Sequence, residues 1–333
     1  MRIAFRVDSS NLIGAGHVSR CVRLAEELKK RKKCKKLIFI TKNLSGNFNN
    51  LIKKKKYKIF LINNKKSKNN LLEDSKDTKK ICEKLKIDTL ILDHYFLGLA
   101  WEKRVKQQIN KLVIIDDFSK KEHFCDLIIN NLNTNHLKTT KHLTGLKFII
   151  IPDNNFKQTK TNKKQKKTHT VGTFFGSIDK MQSNEKLLKI ISQKEFNKFN
   201  FISILGKNNK RKNKIEKNYK TYKNLYIEKK FIKIDNFFKK IDVLITVGGV
   251  TSFEALNNNI KCIYIPINHY QKMTCLYLKK LNISNILNYN NVFGKNGKQL
   301  LIKCLNKIFK EKTKKKILID SLGSKRIAKY ILN

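Results

Sequence analysis

Short apolar runs alternate with amphipathic stretches along the first half of this chain. The runs are rich in β-branched residues and almost continuously hydrophobic, which is typical of strands buried on both faces of a parallel sheet. Between the first two runs, segment 18–32 has apolar residues at i, i+3, i+4 and i+7 spacing, which predicts a helix. The predicted strands of the first half are 2–7, 36–41, 57–62, 88–93, 112–116, 126–130 and 147–151.

A polar, lysine-rich stretch at 156–168 has no apolar periodicity and is interpreted as a linker. The pattern predicts domains over 1–155 and 169–333, with a last helix at about 316–331 that folds onto either of them. The βαβα order favours doubly wound sheets, whose ligands bind at the carboxyl ends of the strands in a cleft. The predicted strands of the second half are 170–175, 200–205, 224–227, 242–247 and 261–265.

The length of 333 residues agrees with about two domains. The formal net charge of +49 suggests a polyanionic partner, but only eight of the 74 basic residues are arginine and the lysines are scattered. We therefore expect a solvated lysine surface and no specific nucleic-acid partner. A non-enzymatic polyanion-binding protein remains an alternative, which lysines clustered on one face with interleaved aromatics would favour.

Seven single cysteines without CxxC or metal-ligand spacing favour a reducing cytoplasm and predict thiols that pack as small hydrophobes. No secretory signal or long apolar run is visible, so we expect a cytoplasmic protein with no membrane span. The motifs imply neither a metal nor a cofactor. With no interface signal in the pattern, we expect a monomer.

The most informative stretch follows the first predicted strand. Asp8 opens a loop in which Gly14 and Gly16 precede His17, and a helical pattern then begins. Glycines let the backbone approach a ligand closely, and a helix start offers unpaired N–H groups that suit a phosphate. His17 can titrate near neutral pH, so the loop combines phosphate binding with acid–base capacity. The alternative is a histidine that only caps the helix or packs.

Further polar residues follow other predicted strands. Asp93 and Tyr95 come after the strand at 88–93, where Asp93 could accept a hydrogen bond from a substrate hydroxyl or cap the next turn. Asp116 and Asp117 are adjacent on a strand and point in opposite directions, so they do not form a paired dyad. We expect one of them to face the cleft and the other to cap a turn.

Two loops in the second half resemble ligand loops. Gly176 and Asp179 form either a phosphate or sugar loop or a turn with a helix cap. Gly248 and Gly249 follow a buried strand and precede a predicted helix, whose start can bind a diphosphate. The helix start then carries Thr251, Ser252 and Glu254, and Gln271 follows the next strand. Glu254 either binds the ribose hydroxyls or closes a capping box on Thr251.

These segments resemble the UDP-2,4-diacetamido-2,4,6-trideoxy-β-L-altropyranose hydrolases of pseudaminic acid biosynthesis, which are similar to the two-domain glycosyltransferases of the MurG type. The resemblance spans about residues 1–290. Its most specific part runs from Arg6 through His17 to Cys21. Further matching segments are Asp93-His94-Tyr95, Trp101-Glu102, Ile115-Asp116-Asp117-Phe118, Cys125-Asp126-Leu127, Gly248-Gly249-Val250-Thr251 with Glu254, Pro266 and Gln271.

The resemblance implies two Rossmann-like α/β domains that face a central cleft, the GT-B type. It implies hydrolysis of a UDP-linked sugar without a metal, with His17 as general base towards water and Glu254 on the ribose. Gly249 would bind the diphosphate, with His17 across the cleft from it. The other residues carried over as binding residues are Asp8, Gly14, Gly16, Arg20, Asp93, Tyr95, Gly176, Asp179, Gly248, Thr251, Ser252 and Gln271.

The sequence departs from the family pattern at five positions, one of which is Lys180, where a proline is expected after Asp179. Ile151 stands where a basic residue is expected, and Ser177 replaces the second glycine of its loop. Val250 and Tyr270 replace a usual serine and a usual asparagine. The departures at Ile151 and Ser177 concern residues that are expected to contact the substrate. A GT-B glycosyltransferase that uses a UDP-sugar donor and an acceptor other than water is the main alternative.

Overall fold

The structure, a computed structural model, divides into two compact units by its internal contacts. The first unit comprises Met1–Asp153 and Asp320–Asn333, and the second comprises Asn154–Ile319. Within the predicted linker, only residue 168 is among the described residues. The structure describes residues 1–62, 71–118, 122–132, 141–152, 168–179, 181–206, 209, 211–228, 234–283, 285–311 and 319–333.

The first unit is a seven-stranded parallel sheet with helices between the strands. Its strands are β1 (Arg2–Val7), β2 (Lys36–Lys42), β3 (Lys58–Ile62), β4 (Thr89–Asp93), β5 (Lys111–Ile115), β6 (Leu127–Asn130) and β7 (Lys141–Thr144). Its helices are α1 (Gly16–Lys29), α2 (Asn49–Lys54), α3 (Leu71–Lys84) and α4 (Leu99–Lys106), and the chain returns to this unit with α12 (Gly323–Leu332).

The strand order β3-β2-β1-β4-β5-β6-β7 is that of a Rossmann-like sheet. The central strands β1 and β4 are buried along almost their whole length, because helices cover both faces of the sheet. Helix α1 packs an apolar face of Val18, Cys21 and Leu24 against the sheet, and these side chains are completely buried. Burying a leucine of this kind contributes about 1.5–3 kcal/mol, so the face fixes how α1 lies on the sheet.

The second unit repeats this arrangement with six parallel strands in the order β10-β9-β8-β11-β12-β13. The strands are β8 (His169–Phe174), β9 (Phe199–Ile204), β10 (Leu225–Glu228), β11 (Val243–Thr246), β12 (Lys261–Tyr264) and β13 (Asn285–Ile286). The helices are α5 (Ser183–Ile191), α6 (Lys212–Tyr219), α7 (Ile234–Phe238), α8 (Val250–Asn257), α9 (His269–Lys280), α10 (Tyr289–Val292) and α11 (Gly297–Lys310). Both units are therefore Rossmann-like, as the sequence predicts.

The predicted strand at 147–151 is wrong. A short 3-10 turn, Leu146–Phe148, begins this apolar run, and the seventh strand is β7 instead. Phe148 and Ile150 are nevertheless buried in the core of the first unit. The run is hydrophobic because it packs in that core and not because it pairs with a neighbouring strand.

The last helix belongs to the first unit, whereas the predicted domain over 169–333 includes it. Helix α12 contacts α1, and its side chains Ile327, Ala328 and Ile331 are completely buried in the core of the first unit. Gly323 of this helix packs closely against the backbone at Ile149, because an added Cβ would lie 2.0 Å from the Ile149 carbonyl oxygen. The chain thus ends in the unit where it began. None of the helices among the described residues is both long and apolar enough to cross a membrane.

Candidate functional site

The strand order of the first unit places its switch point between β1 and β4. Connections on the two sides of such a point leave the sheet in opposite directions, so a crevice forms at the carboxyl ends of these strands. The loop from Asp8 to Ala15 follows β1, and His94 to Gly98 follow β4. Both predicted motifs of the first half therefore lie at the position where Rossmann-like folds bind ligands.

His17 and Asp93 form a hydrogen-bonded pair at this point. The Nδ1 of His17 lies 2.5 Å from Oδ1 of Asp93, which is 1% exposed. Burial alone would raise the pKa of Asp93, but the charges of Arg20 and His17 hold it well below its usual range. The carboxylate is thus an acceptor, and Nδ1 of His17 carries the proton that it accepts. In neutral His17, the other nitrogen, Nε2, is then the basic one.

Arg20, one helical turn after His17 on α1, also binds Asp93. Its Nε and Nη2 each donate to Asp93 at 2.6 Å, and its Nη1 donates to Asp117. Cys21 adds a weak S–H bond to Asp93 at 3.4 Å. The two oxygens of Asp93 therefore meet four donors from α1. This occupancy makes Asp93 a positioning residue for His17 and leaves no place for a substrate hydroxyl.

Aromatic packing holds the other side of His17. The ring of Tyr95 meets the His17 ring edge-on, with centroids 4.4 Å apart. Tyr95 in turn lies 6.1 Å from the ring of Phe118, which follows Asp117 after β5. Loops after β4 and β5 thus both contribute to the surroundings of His17.

Asp8 is part of a separate buried network below the loop. Its carboxylate accepts from Arg6 at 2.6 and 2.9 Å, from the Lys42 N–H at 2.7 Å and from Nε2 of His94 at 3.2 Å. Nδ1 of His94 accepts from the Phe96 N–H, so Nε2 carries the proton and the ring is neutral. Burial also lowers the pKa of His94. Asp8 therefore anchors the start of the loop, and its donors occupy the oxygens that the predicted substrate contact would need.

Arg6 extends this network to a second carboxylate. Its guanidinium, which is fully buried, also binds Asp74 at 2.6 Å, as does Lys42 at 2.9 Å. Trp101 donates its Nε1–H to the same carboxylate at 2.9 Å. Two cations thus balance two carboxylates in the interior, which is the condition under which buried charges are tolerated.

Ser10 stabilises the loop between β1 and α1. Ser10 Oγ accepts from the N–H groups of Leu12 and Ile13, and the Gly14 N–H bonds to the Ser10 carbonyl at 2.9 Å. Gly14 has a positive φ of 85°. Helix α1 begins at Gly16 with no side chain capping it and no acidic residue in its first turn. The start of α1 thus has the uncapped N–H groups that the sequence predicts.

The second unit has its switch point between β8 and β11, and the Gly248-Gly249 loop follows β11. Gly248 has a φ of +89°, and a Cβ there would lie 2.4 Å from Sγ of Cys275. Only glycine fits this position without strain. Around Gly249, by contrast, no atom lies within 4 Å of an added Cβ. The loop therefore leaves open space above the start of α8.

Helix α8 begins directly after these glycines. Its cap residue is Gly249, with no side-chain cap, so Thr251 lies inside the first turn. The capping box between Thr251 and Glu254 is thus not formed, because a box needs Thr251 at the cap position. Thr251 is half-buried, and Ser252 and Glu254 are buried. A role of Glu254 with the ribose stays a prediction.

The other predicted residues of the second unit organise backbone turns. Both oxygens of Asp179 accept from the first N–H groups of α5, at 2.7 Å from Ser183 and Asn184. Asp179 thus caps the start of α5, which agrees with the alternative that this loop is a turn with a helix cap. Gly176, before it, has a φ of +90°. Gln271 Oε1 accepts from the Ile267 N–H at 3.0 Å, so this side chain ties α9 to the segment before it.

Sequence reasoning missed how the charged residues pair. Asp117 was noted as one of two neighbouring carboxylates and as part of a matching segment, but not as a partner of Arg20. In the structure it accepts from the Asn131 N–H at 3.1 Å and supports Arg20. His123, which no motif marks, lies between Asp116 and Glu102. Among the residues that the structure describes, no group of three or more His, Cys, Asp or Glu side chains is arranged to hold a metal ion.

Comparison with known proteins identifies relatives over both units. Residues 170–330 match the glycosyltransferase family 28 C-terminal domain. The uncharacterised protein MJ1062 of Methanocaldococcus jannaschii is 27% identical over an alignment of 304 positions that covers 86% of this chain and 60% of the relative. A UDP-2,4-diacetamido-2,4,6-trideoxy-β-L-altropyranose hydrolase of Campylobacter jejuni is 27% identical over 130 residues, 39% of this chain and 41% of the relative. The chain thus spans less than two thirds of each of these relatives.

Solved structures show the same architecture. MurG of Acinetobacter baumannii superposes with a TM-score of 0.69 at 13% identity, covering 99% of this chain and 98% of that one. MnaA of S. aureus, solved with UDP, superposes with a TM-score of 0.66 at 12% identity, covering 99% and 96%. At these identities the likeness shows the fold alone. The chain therefore has the fold of these proteins, with two Rossmann-like α/β domains.

Proposed function

We propose that this protein hydrolyses a UDP-linked sugar to the free sugar and UDP, with His17 as the general base. The observation that carries the proposal is the ion-paired support of His17, whose Nδ1 donates to a buried, ionised Asp93. This bond fixes the ring orientation and directs Nε2 away from the carboxylate. The partial similarity to the Campylobacter jejuni hydrolase supports a 2,4-diacetamido-2,4,6-trideoxy sugar, and with it a step of pseudaminic acid biosynthesis.

In the proposed step, a water oxygen attacks the anomeric carbon while its proton passes to Nε2 of His17. The bond between the anomeric carbon and the diphosphate oxygen breaks, and UDP leaves with the electron pair. The imidazolium that forms is stabilised by Asp93, as a buried carboxylate stabilises the base in other hydrolytic sites. Such a positioned base contributes typically 10²–10⁴-fold to the rate.

The diphosphate is proposed to bind at the start of α8. Gly249 leaves open space there, and the first N–H groups of α8 have no side-chain cap. These N–H groups and the helix dipole favour the negative charge that grows on the leaving diphosphate. Glu254, one turn into α8, is proposed to bind the ribose. The position of His17 across a cleft from Gly249 stays a prediction.

A second candidate is a glycosyltransferase that passes the sugar from UDP to an acceptor other than water. The match of residues 170–330 to the glycosyltransferase family 28 C-terminal domain favours it. Both candidates need nucleotide binding in the second unit. They differ in whether UDP is released when water is the only nucleophile.

The test is to incubate the full chain with the UDP-linked diacetamido sugar in H₂¹⁸O and to follow the reaction by proton NMR and mass spectrometry. We expect release of UDP without any acceptor, with ¹⁸O in the sugar and none in UDP, because the anomeric C–O bond breaks. His17→Ala should reduce kcat by at least about 10²-fold and still bind UDP. His169→Gln is the matched control, because His169 lies at the start of β8, at the opposite end of the strand from the binding edge.

Different outcomes separate the candidates. Release of UDP only after an acceptor is added would favour the glycosyltransferase. Full turnover by His17→Ala would contradict the assigned base. Binding of UDP without turnover of any UDP-sugar would contradict both enzymatic candidates.

A further inference from the structure

A second histidine of the first unit is held by two carboxylates. Nδ1 of His123 lies 2.8 Å from Oε1 of Glu102, and Nε2 lies 3.0 Å from Oδ2 of Asp116. Glu102 is completely buried on α4, and the His123 side chain is 6% exposed. Asp116 follows the last residue of β5. His123 therefore joins a helix to the carboxyl end of a central strand.

With both carboxylates ionised, this geometry requires a doubly protonated ring. Each ring nitrogen faces a carboxylate, and an ionised carboxylate only accepts hydrogen bonds, so both nitrogens donate. Burial alone would lower the pKa of His123, but its hydrogen bonds to Asp116 and Glu102 raise it to about 9. Cys125 is the nearby thiol, and burial raises its pKa to about 12. Glu102 and Asp116 are thus the charged groups that face the ring among the described residues.

The residues next to Asp116 support the His17 site. Asp116 itself accepts from the N–H of Phe118 at 3.0 Å. Asp117 binds Arg20, which holds Asp93, and Phe118 packs against Tyr95, which contacts His17. The second oxygen of Glu102 accepts from the N–H of Phe124 at 2.7 Å, so the backbone at Phe124 is bound to the same side chain as His123.

We propose that His123 is a positioning residue of the His17 site, an imidazolium that fastens the end of β5 to α4 and thereby holds Asp117 and Phe118 in place. This inference rests on the proposed function wherever turnover is the measurement. When His123 loses its proton, a neutral ring keeps a single N–H and one of the two bonds is lost. The freed nitrogen then presents a lone pair to a carboxylate. Asp117 and Phe118 lose their support, and the orientation of His17 relaxes.

The first test uses ¹⁵N NMR of the histidine rings and needs no substrate. In the wild-type chain, we expect the His17 ring signals to report a proton on Nδ1 that is hydrogen-bonded to Asp93, and to shift as His123 titrates at about pH 9. In His123→Gln these signals should already be altered at pH 7.5. His169→Gln should leave them unchanged, and thermal unfolding should show that both variants are folded.

The second test measures kcat and KM against pH with the UDP-sugar. The wild type should lose kcat above about pH 9 with KM changed less than twofold, because the nucleotide is bound by the second unit. His123→Gln should have a kcat about tenfold lower than that of the wild type at pH 7.5. Its kcat should show no further decrease near pH 9. Asp116→Asn combined with His123→Gln should cost little more than either change alone, because both break the same contact.

The two tests distinguish failure of the positioning role from failure of the hydrolase proposal. If the His17 signals do not respond to His123 titration or to His123→Gln, the positioning role is overturned whatever the activity. If the signals respond but no UDP-sugar is turned over, the hydrolase proposal fails and the structural link stands. A His123→Gln variant that is less stable to heat, yet keeps the wild-type kcat and pH profile, would also overturn the inference.

Discussion

Asp93 illustrates how a single buried carboxylate organises the candidate site. Its oxygens meet donors from His17, Arg20 and Cys21, all on α1, while Asp93 ends β4. The sequence suggested a group that contacts substrate or caps a turn. In the structure it is the group that orients His17, because all of the donors that bind its oxygens come from α1.

Replacing Asp93 by Asn tests this role by stability. The variant keeps the shape of the side chain and removes its charge, which leaves Arg20 partly uncompensated in the interior. We expect the free energy of unfolding to fall by about 3–5 kcal/mol at pH 7. Urea unfolding followed by circular dichroism measures the difference.

The pH dependence of this difference in the free energy of unfolding tests whether the charge of Asp93 is its cause. The pKa of Asp93 is depressed in the folded chain, so its contribution is complete above the unfolded pKa of about 4 and is lost as the pH falls further. The difference between wild type and Asp93→Asn should therefore shrink below about pH 4. A difference that stays constant from pH 7 to pH 3 would contradict the charge as its cause.

At the scale of elements, the loop between β11 and α8 combines two glycines with different requirements. Gly248 has a left-handed conformation and packs against Cys275, whereas Gly249 is extended and borders open space. The backbone conformation and packing require glycine at position 248. At position 249 they do not, and the space beside Gly249 is open. The double glycine was visible in the sequence, but this division of roles was not.

The two glycines form a matched pair for substitution. Gly248→Ala should lower the free energy of unfolding by about 1–3 kcal/mol, because the conformation is strained and the methyl group meets Cys275. Gly249→Ala should change it by no more than about 0.5 kcal/mol. If the diphosphate binds above α8, Gly249→Ala should nevertheless weaken UDP binding at least about tenfold in calorimetry. Unchanged UDP affinity in Gly249→Ala would contradict that binding position.

The elements themselves were mostly predictable, and the exceptions have a physical cause. Continuous apolar runs identified β1, β2 and β4 because strands covered on both faces have no polar side. The run at 147–151 has the same composition but packs in the core without pairing. By contrast, β7 is an edge strand with a half-exposed pattern, so its hydrophobicity was too weak to predict it.

At the scale of the whole molecule, the chain closes the first unit with its last helix. Helix α12 carries four core side chains of that unit although it follows the second unit in sequence, and these are Ile327, Ala328, Ile331 and Leu332. Its amphipathic pattern predicts a helix but cannot specify which sheet it covers. From the sequence, this helix could therefore pack on either domain.

Ile327→Ala tests this assignment, with Ile308→Ala as its counterpart in α11. Both side chains are completely buried, the first in the core of the first unit and the second in that of the second unit. Each change should cost about 2–5 kcal/mol through lost burial and a cavity. In hydrogen exchange, Ile327→Ala should lower protection in β1 and α1, and Ile308→Ala in β8 and β9. Loss of protection in the second unit for Ile327→Ala would contradict the placement of α12.

The sequence by itself determined two parallel sheets, their order along the chain, the glycine loops after β1 and β11, and His17 at the start of a helix. These are local properties, because periodicity and turn chemistry act over a few residues. Only the tertiary structure decided which charges meet: Asp93 lies 76 residues from His17, and Asp117 lies 97 residues from Arg20. Such pairs depend on which strands are neighbours at the switch point, and no local pattern encodes that. The same reason explains why the sequence did not show that His123 lies between Glu102 and Asp116, which are on separate segments.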